Sequence, residues 1–177
     1  YVRWKTGKDY ETRLLFSKNR IAPTKQLSIP RLELCAAILA ARMRQKIIQE
    51  MDWEFVKVIH ITDSMIVRAQ IQKESYGFGT FVATRVAEIQ SITDPTDWYW
   101  IQGDLNPADL VARPTQPDIL DENSVWQRGP EFMRESIDCW PTRQDSTIES
   151  KQLPDVVSVT LCIDKRNVKI APTLIDI

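Results

Sequence analysis

A chain of 177 residues with 43% apolar side chains has enough hydrophobic material for one sizeable core, and a net charge of −1 marks it as neither a polybasic nor a polyacidic tail. No run of about 20 apolar residues offers a membrane span, and the first residues lack the pattern of a signal peptide. Cys35, Cys139 and Cys162 are odd in number, widely spaced and without C-x-x-C, which argues for reduced thiols rather than a disulfide framework or a zinc cluster.

In chain order, residues 12–17 are expected as a strand. Ser28 as N-cap and Pro30 in the first turn open a helix over 29–51. On it, Leu32, Cys35, Leu39, Met43 and Ile47 form an apolar stripe, and the small residues Ala36, Ala37 and Ala40 share a face with Glu33. The β-branched run VKVIHI predicts a strand over 56–62 that ends at Asp63. His60, the only histidine, lies inside that run and reads as a core or sheet residue. A helix follows over 64–73, and Gly77 and Gly79 break it into a loop. Residues 80–93 form an amphipathic helix with Val82, Val86 and Ile89 on one face. The strand 97–102 places Trp98 and Trp100 on one side, Tyr99 and Ile101 on the other. A short helix over 107–113 has Asn106 as N-cap, Pro107 at N1 and Asp109 at N3. P-T-Q-P-D then marks a boundary. Residues 114–145 read as an irregular wrap anchored by Trp126, Phe132 and Trp140, 146–155 as a polar linker, and VVSVTLCI (156–163) as a strand.

Charge is unevenly spread. Residues 1–50 carry a balance of +7 and residues 51–177 a balance of −8. The basic front, with Arg13, Lys18, Arg20 and Lys25 around LLFSKNRIAPTK, could face phosphate. An ordinary solvated hairpin and loop has the same composition.

Glu33, Asp63 and Asp109 are the candidate catalytic and metal-binding residues. Each has an ordinary structural reading. Glu33 is a surface residue in a good helix former's sequence, Asp63 a helix cap, and Asp109 a first-turn carboxylate favoured by the helix dipole. Taken together they place one acid in a helix, one at a strand end and one at a helix start beyond the next strand, which is the order found in ribonuclease H.

The wording agrees. LLFSKNRIAP, LSIPRLELCAA, HITDS, GTFVATRVAEIQ, NPADLVAR and the later SVWQRGPEFM resemble the ribonuclease H region of BEL/Pao-type LTR-retrotransposon polyproteins, over roughly residues 1–133. The last residues, TLIDI, resemble the lead-in to an integrase region. This resemblance implies an α/β fold: a ribonuclease H-like mixed sheet flanked by helices, with an irregular C-terminal extension. The implied organisation is a ribonuclease H-like domain over 1–113, a wrap over 114–145 and a linker over 146–177. In that family a strand bearing the first catalytic Asp stands in the middle of the sheet, and YVRW resembles the end of the strand after it. The expectation is therefore a fragment lacking its first strand and first Asp, inactive and poorly stable by itself.

For the complete domain the resemblance implies cleavage of the RNA strand of RNA–DNA hybrids with two Mg2+ or Mn2+ ions. Such ions sit about 3.5–4 Å apart and stabilise the attacking and leaving oxygens. Glu33 and Asp63 would share the first ion and Asp109 would hold the second. The fragment would bind metal weakly or not at all. Thr84 stands where the family usually has Asn, and would touch the nucleic acid. Reverse transcriptase upstream, integrase downstream and an intracellular location (cytoplasmic, particle-associated or nuclear) complete the expectation. The alternatives are a non-catalytic nucleic-acid-binding or connection domain, and a domesticated structural or interaction remnant.

Overall fold

The chain begins with a hairpin whose turn is set by one glycine. β1 (Val2–Thr6) and β2 (Asp9–Arg13) pair antiparallel from Val2↔Arg13 to Thr6↔Asp9. The two-residue turn places Gly7 at φ +64°, with Lys8 outside the positive-φ region, the pattern of the II′ turn that fits strand twist. The computed structural model describes residues 1–112, 121–145, 148–149 and 152–157.

The expected strand over 12–17 is corrected to Asp9–Arg13. Val2, the first residue of β1, already partners Arg13, so Leu14 has no strand to continue on; its N–H goes instead to the Gln127 carbonyl at 2.7 Å. This bond belongs to a larger seam. The Tyr1 hydroxyl donates to the Trp126 carbonyl (2.8 Å), Arg3 donates to the Met133 and Glu135 carbonyls, and the buried Thr12 hydroxyl donates to the Arg128 carbonyl. The Arg3 guanidinium lies 3.4 Å from the Tyr10 ring centroid and 5.5 Å from that of Trp140, which meets Phe132 edge-on. The hairpin is thus held by residues 121–140, among them α4 (Val125–Arg128).

The main body is a three-stranded mixed sheet covered by helices. β3 (His60–Thr62) runs parallel to β4 (Trp98–Ile101), and β5 (Thr142–Arg143) adds antiparallel to β4. The parallel pair requires a crossover, supplied by α2 (Met65–Ile71) and α3 (Thr80–Ile92). β3 is shorter than the expected 56–62. β4 partners only His60, Ile61 and Thr62, and Val56 is fully exposed. Among the described strands, neither β1 nor β2 pairs with β3, so the hairpin and the sheet are separate.

α1 (Ile29–Glu50) packs chiefly on α3. Its core face is Leu34, Ala37, Ile38 and Ala41, not the expected stripe through Leu32, Cys35, Leu39, Met43 and Ile47, each of which is only partly buried. Both sets have helical spacing. The buried one wins because two alanines let α1 approach Val82, Val86 and Ile89, the face of α3 that its periodicity predicts. Trp98 enters the same core, and its indole N–H donates to Thr93 Oγ1 (2.9 Å). Trp98 and Ile101 are the fully buried members of β4, while Tyr99 and Trp100 are half-buried.

His60 stacks on Trp98 with ring centroids 4.6 Å apart, and neither of its nitrogens has a hydrogen-bond partner among the described residues. Arg68 is also buried; its Nε donates to the Trp98 carbonyl (3.2 Å). Within the stretch expected as a polar linker over 146–155, Leu153 enters the core and Ile148 packs against it. Asp155 accepts both Nε and Nη2 of Arg31, and Val156 bridges antiparallel to Phe78. Of the strand expected over 156–163, only this bridge lies within the described residues.

Candidate functional site at the end of β3

β3 ends at Thr62, so Asp63 and Ser64 occupy the turn into α2, at the carboxyl end of the sheet where α/β folds collect their ligands. Asp63 does not cap α2. Ser64 does: its Oγ accepts the Val67 N–H at 3.2 Å, and its own N–H donates to Thr62 Oγ1. That leaves the Asp63 carboxylate to other uses. Its Oδ2 faces Gly103, where a Cβ would lie 3.6 Å away, and its carbonyl accepts the Trp100 indole N–H at 2.9 Å. The acid is therefore seated between β3 and the turn after β4.

Glu33 joins this place from another element. The Ser64 hydroxyl donates to Glu33 Oε2 at 2.5 Å, across 31 residues of sequence. One hydroxyl thereby ties the first turns of α1 to the β3–α2 turn while it caps α2. Sequence reasoning missed Ser64 because a Ser after a strand reads as a cap and nothing more. Its second role needs the packing of α1.

Asp109 sits in a 3-10 segment, Pro107–Ala112, rather than the expected short helix. Its N–H donates to the Asn106 carbonyl (3.3 Å), and Asn106 Oδ1 accepts the Ala108 N–H, so Asn106 does cap the turn. The i→i+3 bonding replaces the α pattern, and Arg113 lies outside the described residues. The three acids do not form one set. Among the described residues, no group of three or more His, Cys, Asp or Glu side chains is gathered so that it could hold a metal ion. Glu33 and Asp63 share a neighbourhood, but Ser64 occupies one Glu33 oxygen. The side chains as placed do not fit a two-ion centre, and no step through a metal follows from them.

Of the basic candidates, Arg13 ends β2 and is half-buried, with Nη1 on the Thr12 carbonyl (3.3 Å). Lys18, Arg20 and Lys25 are exposed in the segment between β2 and α1, which carries neither strand nor helix. Thr84 is exposed on α3, and its hydroxyl donates back to the Thr80 carbonyl (2.9 Å). Cys35 is partly buried and Cys139 exposed, both free; Cys162 lies outside the described residues. No helix among the described residues is long and apolar enough to cross a membrane.

Compared with known families, residues 1–64 match the Pao retrotransposon-like RNaseH-like domain. The match runs from the hairpin through α1 to Ser64, and so includes Glu33 and Asp63. The resemblance to the ribonuclease H region of BEL/Pao elements is thereby shown over that segment. No curated protein and no solved structure matches the chain.

Proposed function

We propose that this chain is part of a ribonuclease H-like domain of a BEL/Pao-type retrotransposon polyprotein, and that its partner is an RNA–DNA hybrid. The observation that carries the reading is the meeting of Glu33 and the Asp63–Ser64 turn at the carboxyl end of β3, inside the matched residues. Asp109, in the 3-10 segment after β4, is proposed as a third acid that joins them only in the completed domain. Such a domain recognises the hybrid by shape and by 2′-hydroxyl contacts more than by base sequence.

A second reading has its own support. Because the acids are not gathered for a metal, the chain as it stands is proposed to bind hybrid without cutting it. Cutting, with Mg2+ or Mn2+, belongs to a form of the domain in which a further strand lies beside β3 and completes the acidic set. Reverse transcriptase and integrase regions of the same polyprotein are its proposed neighbours.

The test is a gel assay of labelled hybrid with Mg2+ or Mn2+. It compares this chain, a version extended at its N-terminus by the proposed strand, and the extended Asp63→Asn protein. The extended protein is expected to cut the RNA strand, and Asp63→Asn to slow cutting at least 100-fold, on the scale of removing one essential electrostatic group. An extended Asp63→Asn protein that cuts at the unmodified rate would remove Asp63 from the site.

A further inference from the structure

The seam between the hairpin and the C-terminal segment encloses a second place of interest, far in sequence from the acids. An open pocket of about 370 Å³ is lined by Glu11, Thr12, Arg13, Arg128 and Arg134. Three arginines from three different elements line one space. Two carboxylates oppose them: Glu11 in the lining, and Glu131, which pairs with Arg134 at 2.5 Å.

Arg13 and Arg128 have no carboxylate partner among the described residues. Each spends one N–H on a backbone carbonyl, Arg13 on Thr12 (3.3 Å) and Arg128 on Glu122 (3.4 Å). Each guanidinium has five N–H donors in a planar fork that matches phosphate. Three guanidinium groups stand against the two carboxylates of Glu11 and Glu131, which leaves the cluster one positive charge in excess, and an anion offsets it. The elements that bring them there are fixed by uncharged groups. The Thr12 hydroxyl bonds the Arg128 carbonyl, and the Leu14 N–H bonds the Gln127 carbonyl. The cluster is thus held by the fold without help from its own charges.

We propose that this pocket binds a backbone phosphate of a nucleic-acid strand, with Arg13 and Arg128 as the ligating groups and Arg134 beside them. The proposal rests on the reading that the chain meets nucleic acid, but not on its cutting one. The pocket's size suits a phosphodiester unit, and its open mouth lets a strand pass across it.

The experiment is binding of a labelled RNA–DNA hybrid to the full chain in EDTA, over a series of salt concentrations, so that cleavage plays no part. Arg13→Gln/Arg128→Gln is expected to weaken binding about tenfold or more. It should also reduce the slope of log affinity against log salt by about 0.9 for each phosphate that the protein no longer neutralises. Glu11→Gln is expected to tighten binding, an outcome that misfolding cannot imitate. Arg42→Gln, which breaks a surface pair with Glu88 on α3, serves as the charge control and should leave the slope unchanged.

Equal slopes for the unmodified and doubly substituted proteins, with no gain from Glu11→Gln, would overturn the proposal. So would inorganic phosphate that protects Arg13 and Arg128 side-chain N–H signals while hybrid does not, since the pocket would then serve free phosphate. Absence of nuclease activity in the separate Mg2+ assay would leave this inference standing and strike only the catalytic reading.

Discussion

Lowering the pH from 8 to 5 should destabilise this protein through its one histidine. His60 is 7% exposed, stacked on Trp98, and without a hydrogen-bond partner for either nitrogen among the described residues. Burial, with a smaller contribution from the positive charge of Arg44, lowers its pKa from 6.5 to about 4. The folded state therefore holds the neutral ring, while the unfolded chain takes up a proton below pH 6.5. The stability tied to the neutral ring is fully present above pH 6.5 and is lost as pH falls toward 4. The whole span corresponds to roughly 3 kcal/mol, of which more than half is gone by pH 5. No other histidine contributes. Urea denaturation followed by tryptophan fluorescence at pH 8 and pH 5 measures the effect. His60→Phe keeps a ring against Trp98 and should flatten the dependence between these values. An NMR titration of the single imidazole that gives a value near 6.5 in the folded protein would refute the reasoning, as would parallel pH curves for the two proteins.

Three further outcomes are expected. Leu34→Ala opens a cavity at a fully buried position between α1 and α3 and should cost about 2–5 kcal/mol in denaturant unfolding. Ser64→Ala removes the cap of α2 and the partner of Glu33, so it should cost about 1–2 kcal/mol, and a double-mutant cycle with Glu33→Gln should show coupling between the two. Asp155→Ala breaks a half-exposed ion pair with Arg31 and should cost under about 1 kcal/mol globally. In that variant, hydrogen exchange should quicken at Gly79 and Val157, whose N–H groups bond the Asp155 and Gly77 carbonyls.

Elements defined by their own periodicity or capping were legible. α3 announces its face through Val82, Val86 and Ile89, and α1 announces its start through Ser28 and Pro30. What depends on partners was not. VKVIHI has strand composition throughout, yet only three residues meet β4, because strand length is set by the neighbour and not by propensity. α1 carries two apolar stripes of equal spacing, and only the presence of α3 decides between them. The three acids could be named as candidates from motif order. That Ser64 would claim Glu33, and that the acids would not gather around a metal, depends on how α1 lies against the β3–α2 turn. Arg128 lies within the motif SVWQRGPEFM and Arg134 just after it, but neither stands out there as a binding residue. Their only distinction is a pocket shared with Arg13, more than a hundred residues earlier.

The hairpin's attachment has a consequence for synthesis. Its seat, from the Trp126 carbonyl that holds Tyr1 to the Met133 and Glu135 carbonyls that hold Arg3, is translated more than a hundred residues after the strands themselves. At roughly 5–20 residues per second, the first strands wait about 6–25 s before that seat exists. Pairings so distant in sequence also form slowly once available, because a long loop must close first. For that interval the β1–β2 pair, two strands of five residues each and a size that is marginal in water, lacks the support that residues 121–140 later give it. Trp4 and its neighbours are without that cover meanwhile, so the hairpin is a point at which the nascent protein is open to chaperone capture and misassembly.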